Sequence, residues 1–374
     1  MRETRKILEK FTKICADEKF AALATVAAVE GSSYRKPGAI MLIAPDGETL
    51  GSISGGCLER DVTRLARQLI DHGGSAIVNR YQTSDSQDNE PGTSLGCGGT
   101  IDILIERISK SSPGPLAPLD AAVNQRLDTT LATIVRGDGV GQRLIRIGDQ
   151  DPNGDVTDPL LHSAMIDMLN NIEPGGADVR LAATVDGDAD ILVQSLRPPQ
   201  ALVIFGDGHD AIPMAEFAKG LGWHVTVVGP HARRFTTADA VIYAPKENPT
   251  GGLNPGEDAA VVVMGHDGAR DTAVLAALLK RPPAYVGLLG PRHRSKRILS
   301  AAGGSEADKN VYWPVGLDIG ATTPEEIAMA VLAEICAVLA GRRGGSLRHR
   351  PGPIHRNAAP SMPPEQEVRD SCQL

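Results

Sequence analysis

The stretch Ala201–Gly229, A-L-V-I-F-G-D-G-H-D-A-I-P-M-A-E-F-A-K-G-L-G-W-H-V-T-V-V-G, limits the possible folds more than any other. Five apolar-rich residues pass into a glycine turn, then a helix-forming segment, then a second apolar run. Strands buried on both faces read as continuous apolar runs, and a strand–helix–strand crossover pairs its strands in parallel. Further runs at Ala240–Tyr243, Ala260–Met264 and Ala284–Leu289 extend this to a doubly wound, Rossmann-like parallel sheet. In that context the spacing Gly206-x-Gly208-x-x-Ala211 fits a dinucleotide-binding turn, which makes Gly206, Gly208 and His209 candidate ligand contacts. Such a turn expects an Asp or Glu about 20 residues on, to hold the ribose hydroxyls. Gly229 stands there instead, followed by His231, Arg233 and Arg234, while Asp207 and Asp210 place carboxylates beside the turn. A 2′-phosphate or another phosphorylated ligand is expected to fit better than NAD, and any NAD(P) binding to be weak.

The chain has 374 residues, two or three domains at about 150 residues each. The first block, residues 1–108, ends in the spacer S-K-S-S-P-G-P-L-A-P, and the second covers residues 119–196. Together they predict an α+β domain over 1–197, followed by the Rossmann-like domain over 198–343. Residues 344–374 are rich in Pro, Arg and Ser, cannot bury enough apolar surface to offset their ordering entropy, and are expected to be disordered. The first two blocks read as diverged copies of one unit. L-A-T-V at Leu23–Val26 recurs as L-A-T-I at Leu131–Ile134, and G-T-I-D-I-L-I-E at Gly99–Glu106 recurs as G-D-A-D-I-L-V-Q at Gly187–Gln194. Each copy predicts a strand, a turn and strand, a helix and a closing strand.

The copies differ where chemistry is expected, because only the first holds cysteines between glycines. In S-I-S-G-G-C-L-E-R-D-V, apolar Leu58, Val62, Leu65 and Leu69 mark an amphipathic helix, so Gly55 and Gly56 turn the chain and Cys57 falls at the helix start. Free N–H groups and the helix dipole there favour an anion, a thiolate included. Cys97 lies between Gly96 and Gly98-Gly99, just before a strand, where small neighbours leave a thiol open to a ligand. The alternative for each is a small buried hydrophobe. Cys15, Cys336 and Cys372 have no such setting, and no C-x-x-C or H-x-x-x-H spacing supports zinc. The loop G-S-S-Y-R-K-P-G adds the hydroxyl of Ser33 and the cation of Arg35, suited to an oxyanion or to a solvated turn. Later, G-L-L-G-P-R-H-R-S-K-R brings Arg292 and Arg294 to a strand–helix junction, where a phosphate would be attracted. The capping box Thr323-Pro324-Glu325-Glu326 opens an apolar last helix. That helix must be buried in its own domain or against a second copy of the chain, which leans towards a homodimer.

This ordered set of motifs, G-S-S-Y-R-K-P-G-A, S-G-G-C-L-E, G-C-G-G, G-x-G-H, G-L-L-G-P-R and P-V-G-L-D-I-G-A-T-T-P-E-E-I-A, resembles the xanthine dehydrogenase accessory protein family (XdhC/CoxI-like) from about Lys13 to Ala340. The resemblance implies an accessory chaperone that binds molybdenum cofactor (molybdopterin) and holds it for sulfuration, with a cysteine desulfurase as a further partner. It then passes the cofactor to a xanthine-dehydrogenase-type molybdenum hydroxylase. By the same resemblance Cys57 and Cys97 contact the metal, within the glycines Gly55, Gly56, Gly98 and Gly99. The chain departs from the family pattern at Asp207, Asp210, Ala211 and Val228-Gly229-Pro230-His231.

The competing reading is an NAD(P)-dependent oxidoreductase, with His209 or His266 as acid–base. A third is a scaffold that only docks the hydroxylase. With 38 Lys and Arg against 46 Asp and Glu, net −8, the chain is not expected to bind nucleic acid. It has no apolar run of membrane-spanning length, and its N-terminus lacks the apolar core of a signal peptide, so a cytoplasmic protein is expected.

Overall fold

The computed structural model describes residues 2–31, 33–82, 99–184 and 187–349. The N-terminal part contains one order of elements twice. Helix α1 (Arg2–Ala16) precedes strands β1 (Ala21–Glu30), β2 (Ile40–Ile43) and β3 (Thr49–Gly51), then α2 (Glu59–His72), β4 (Ile77–Gln82) and β5 (Thr100–Ile108). The second set is α3 (Leu116–Val123), β6 (Thr129–Arg136), β7 (Arg143–Ile147), β8 (Asn153–Gly154), α4 (Pro159–Asn170), β9 (Ala177–Thr184) and β10 (Gly187–Leu196). The two antiparallel sheets run β3-β2-β1-β5-β4 and β8-β7-β6-β10-β9, the same path in space. The two sequence repeats fall on equivalent strands, β1 with β6 and β5 with β10. Each unit also gains two strands that the repeat did not predict, β3 and β4 in the first and β8 and β9 in the second.

Alternation along β1 assigns its faces. Ala22, Ala24 and Val26 pack on α2 through Val62, Ala66 and Leu69. Ala21 and Leu23 meet Ile7, Leu8 and Phe11 of α1. Farther along the same face, Ala27 joins Leu104 against Val135 and Leu192, so the two sheets stack back to back. The second sheet packs its outer face on Leu161, Met165 and Leu169 of α4.

The stacking is reciprocal. A Cβ at Gly38 would lie 2.5 Å from Gln194 Nε2, and a Cβ at Gly141 would lie 2.8 Å from the Ala76 Cβ and 3.4 Å from Glu106 Oε1. Gln194 and Glu106 occupy the same place in the two repeats, so the first hairpin turn of each half packs on the last strand of the other. One of these contacts carries charge: the Arg143 guanidinium donates to Glu106, and both side chains are buried. Burial pushes the Glu106 carboxyl up against the opposing pull of Arg143.

The C-terminal part is the expected Rossmann sheet. Its strands are β11 (Ala201–Phe205), β12 (His224–Gly229), β13 (Ala240–Tyr243), β14 (Ala260–Val263), β15 (Tyr285–Leu288) and β16 (Val311–Tyr312), in the order β13-β12-β11-β14-β15-β16. All neighbours are parallel. Helices α5 (Ala211–Gly220), α6 (Gly268–Lys280), α7 (Arg292–Ala301) and α8 (Pro324–Leu339) accompany it. The capping box forms, with Thr323 Oγ1 accepting from the Glu326 N–H and the Glu326 carboxylate accepting from the Thr323 N–H. Helix α8 finds its apolar partner inside the domain, burying Ala328, Val331, Leu332 and Ile335 with residues of α5 and the sheet. Its charge beyond the first turn, Glu334, accepts from the Tyr285 hydroxyl at 2.5 Å and the Gly316 N–H at 3.1 Å. Residues 344–349, the start of the tail expected to be disordered, hold one 3-10 turn (Leu347–His349) with nothing buried. The rest of that tail lies outside the described residues.

The Arg143–Glu106 contact yields a stability test. Arg143→Ala should lower the unfolding free energy by about 3–5 kcal/mol in urea titration, because Glu106 is left buried and unpaired. Arg143→Met combined with Glu106→Leu should recover most of the loss. A loss below about 1 kcal/mol for the single variant, the level of an exposed pair, would show that the pair is solvated.

Candidate functional site

Strand direction gathers the motifs of the first repeat at one end of its sheet. There β1 ends at Glu30, opposite Thr100 at the start of β5, and Thr100 also pairs with Gln82 at the end of β4. Strand β3 runs towards the same end, so the loop of residues 52–58 follows there. The loop after Glu30 meets it directly: a Cβ at Gly55 would lie 3.8 Å from the Tyr34 ring. Gly99 immediately precedes Thr100. Cys97 and Gly98 lie outside the described residues.

One carboxylate organises the loop. Glu59, the first residue of α2, accepts from the Ser52 hydroxyl (2.9 Å) and the Ser54 hydroxyl (2.5 Å). It also accepts from the N–H groups of Ile53 (3.3 Å), Ser54 (3.0 Å), Gly55 (3.2 Å), Gly56 (3.0 Å) and Leu58 (3.1 Å). Gly55 at φ +94° and Gly56 at φ +121° allow the chain to curl around it, a conformation that side chains rarely adopt. Burial alone would raise the Glu59 pKa. The hydrogen bonds from Ser54, through its hydroxyl and its N–H, and from Ser52 outweigh burial and bring the carboxyl down to about 2.

This changes the expected chemistry of the loop. Five of the N–H groups around the expected anion position already hold an anion, the chain's own. Helix α2 begins at Glu59 with Leu58 as N-cap, so Cys57 sits two residues before the helix rather than at its first position. Its thiol is free and exposed, at the rim of the loop.

The remaining candidates separate into occupied and open groups. The Ser33 hydroxyl accepts the Arg35 N–H at 3.3 Å, and the Arg35 guanidinium pairs with Glu3 of α1 at 3.3 Å, so both brace the loop. Lys36 and Tyr34 are exposed. A cleft of about 580 Å³ opens between the two sheets, with Glu30, Arg80, Asp102, Arg136 and Asp190 among its lining. Two forked pairs stand in it: Arg80 on Asp102 at 2.7 Å through both contacts, and Arg136 on Asp190 at 2.6 and 2.8 Å. Nothing in the sequence around these arginines marks them as paired. The one available signal was the Asp shared by D-I-L-I and D-I-L-V.

In the Rossmann domain the glycine turn is tight, since a Cβ at Gly206 would lie 2.8 Å from the Met264 carbonyl. A Cβ at Gly208 would lie 3.0 Å from His266 Nε2, and His209 is exposed. Arg292 is exposed, its guanidinium 5.9 Å from the Trp313 ring centre. Arg294 is committed inside the protein, donating to the carbonyls of Leu289 (3.0 Å) and Gly265 (2.9 Å) and to Asp271 (2.6 Å). Burial raises the Asp271 pKa and Arg294 opposes it.

The two sets of motifs stand apart. Arg5 of α1 reaches Asp239, just before β13, at 3.2 Å, and Arg126 donates to the Pro199 carbonyl, just before β11, at 3.1 Å. Both contacts meet the N-terminal edge of the parallel sheet, whereas its glycine turn lies at the C-terminal edge. Among the described residues no group of three or more His, Cys, Asp or Glu could hold a metal ion. No helix among them is long and apolar enough to cross a membrane.

These features define a two-part class: an α+β domain that presents a free thiol on a glycine loop, joined to a Rossmann domain. Comparison with known proteins makes the class specific. Residues 15–82 match the model of the XdhC and CoxI family, and residues 202–335 match that of the XdhC Rossmann domain. The chain is 30% identical over 324 residues to a probable xanthine dehydrogenase subunit of Bacillus subtilis (strain 168), covering 85% of this chain and 93% of that protein. It is 25% identical over 340 residues to the molybdenum cofactor insertion chaperone PaoD of Escherichia coli (strain K12), covering 89% and 88%. A crystal structure described as a xanthine dehydrogenase from Bacillus halodurans superposes with a TM-score of 0.72 at 27% identity, over 92% of this chain and 98% of that one. The chain belongs to the XdhC and CoxI family.

Because the Glu59 pKa is held below its ordinary value, its contribution to stability is present above about pH 4.5 and is lost as pH falls towards 2. Glu59→Gln should cost about 1–2 kcal/mol at neutral pH, after allowance for solvent screening. The difference between native and variant should shrink through that acid window. A constant difference from pH 7 to pH 2, followed by chemical denaturation, would contradict the clamp.

Proposed function

We propose that this chain is an accessory protein that binds molybdenum cofactor and holds it for a xanthine-dehydrogenase-type molybdenum hydroxylase. The observation that carries the reading is the Cys57 thiol, exposed on a loop that Glu59 holds through the N–H groups on either side of it. Family membership supports it, as does the likeness to a molybdenum cofactor insertion chaperone of Escherichia coli.

The residues present fit the group. Cysteine sulfur is a soft donor suited to a sulfur-liganded metal, and Cys57 presents one at an exposed position. Because Glu59 already holds the N–H groups of Ile53, Ser54, Gly55, Gly56 and Leu58, the ligand position we assign is the sulfur. Lys36 and Tyr34 lie open at the same sheet end for a phosphate or a ring. Arg35 and Ser33 hold the loop rather than the ligand. When bound, the cofactor supplies the metal centre that the hydroxylase later uses. The chain's own part is to hold that centre through a thiol, keep the loop in one shape, and release it to a partner. We extend the reading to holding the cofactor during sulfuration in the cytoplasm, with a cysteine desulfurase as the sulfur source and Cys97 as a second thiol.

The oxidoreductase alternative has less behind it. Neither the His209 nor the His266 imidazole has a hydrogen-bond partner among the described residues to set its orientation.

The test is metal and pterin content of the full chain purified from molybdenum-replete cells. Native protein should carry both in equal amounts. Cys57→Ser should lose most of both while its melting temperature stays within about 2 °C of native, because an exposed thiol packs little. Native protein with neither molybdenum nor pterin, or a Cys57→Ser variant that keeps both, would refute the assignment.

A further inference from the structure

We infer that Asp207 supplies, from the glycine turn, the ribose-binding carboxylate that a Rossmann domain ordinarily carries at the tip of its second strand. The domain would then take a nucleotide whose ribose keeps a free 2′,3′-diol. In this strand order the ligand lies across the C-terminal ends of the first strands, and the acid at the end of the second reaches the ribose hydroxyls. Here β12 ends in Gly229, and by sequence that acid is missing.

The structure restores it from the neighbouring strand. A Cβ built on Gly229 would lie 2.5 Å from Asp207 Oδ2, 2.6 Å from its Cγ and 2.9 Å from its Cβ. The Asp207 side chain therefore fills the volume that a side chain at 229 would occupy, and a residue larger than glycine there would displace it. The carboxylate has changed its position in the chain but not its place in the fold.

It is also held for use. Oδ2 accepts the His231 N–H, and the Arg234 guanidinium donates to the Asp207 backbone carbonyl. Oδ1 has no partner among the described residues and is left to accept a hydroxyl. The half-buried setting limits screening of its charge.

The sign of that charge decides between cofactors. A carboxylate accepts hydrogen bonds from a ribose diol and repels a 2′-phosphate. Of the cations that suggested a 2′-phosphate site, Arg234 gives one of its donors to the Asp207 backbone carbonyl. The preference expected from Gly229, His231, Arg233 and Arg234 is thereby reversed. This inference does not depend on the thiol site, which lies on the other domain.

Calorimetric titration of the full chain with ADP-ribose, NAD⁺ and NADP⁺ tests it. ADP-ribose and NAD⁺ should bind, with NADP⁺ at least about tenfold weaker. Asp207→Ala should weaken ADP-ribose at least about tenfold, the loss of one charged hydrogen bond. Asp207→Asn, which keeps the shape without the charge, should lose the discrimination against NADP⁺. The exchange variant Asp207→Ala with Gly229→Asp, returning the acid to the strand end, should restore ADP-ribose binding. Absence of binding to native protein at millimolar ADP-ribose and NAD⁺ would overturn the proposal. So would tighter binding by Asp207→Ala, which would make Asp207 a plug, or failure of a folded exchange variant to recover.

Discussion

Backbone N–H groups at a glycine turn must be paired, and in the N-terminal domain one carboxylate meets that demand. Glu59 accepts from five N–H groups and two hydroxyls of the loop, fixing the path of residues 52–58. Much of what this sheet end presents follows from that closure. The helix dipole is met by an internal anion, the glycines adopt positive φ to surround it, and Cys57 is left outside as an open thiol. Tyr34 lies against Gly55, and Arg35 ties its loop to α1 through Glu3. A loop that satisfies itself can offer a sulfur ligand without needing a bound anion to keep its shape.

The same economy recurs in the Rossmann domain with a different result. Asp207 covers the end of β12 and takes the His231 N–H, so an internal carboxylate again stands where sequence pattern left an open position. In the first case the acid completes a loop, and in the second one of its oxygens remains available. The two-fold stacking of the sheets provides the frame: hairpin turns at Gly38 and Gly141 each pack on the other half, and the cleft with its Arg–Asp forks opens between the halves.

The sequence displayed those parts whose physics is local. The buried parallel strands read as continuous apolar runs, and the capping box at Thr323 formed as its spacing requires. The repeats L-A-T-V/L-A-T-I and D-I-L-I/D-I-L-V marked equivalent strands. Strands of two or three residues, β3, β8 and β16, are too short to show a period. The destinations of charged side chains were also hidden, because they depend on what folds against them. Glu59 reads as an ordinary first-turn acid, Arg292 and Arg294 read alike though only Arg292 is open, and Gly229 reads as a missing acid. In each case a partner brought in by the fold sets the role.

The central claim is that Cys57 is an open ligand position that the cofactor covers. Alkylation of Cys57, followed by mass spectrometry against Cys15 in the same sample, tests it most directly. Cys15 is partly buried and its thiol is pushed up by burial, so it serves as the slow reference. Cys57 should label fast in cofactor-free protein and be strongly protected in protein carrying molybdenum and pterin. Slow labelling of the free protein, or equal labelling with and without cofactor, would contradict it.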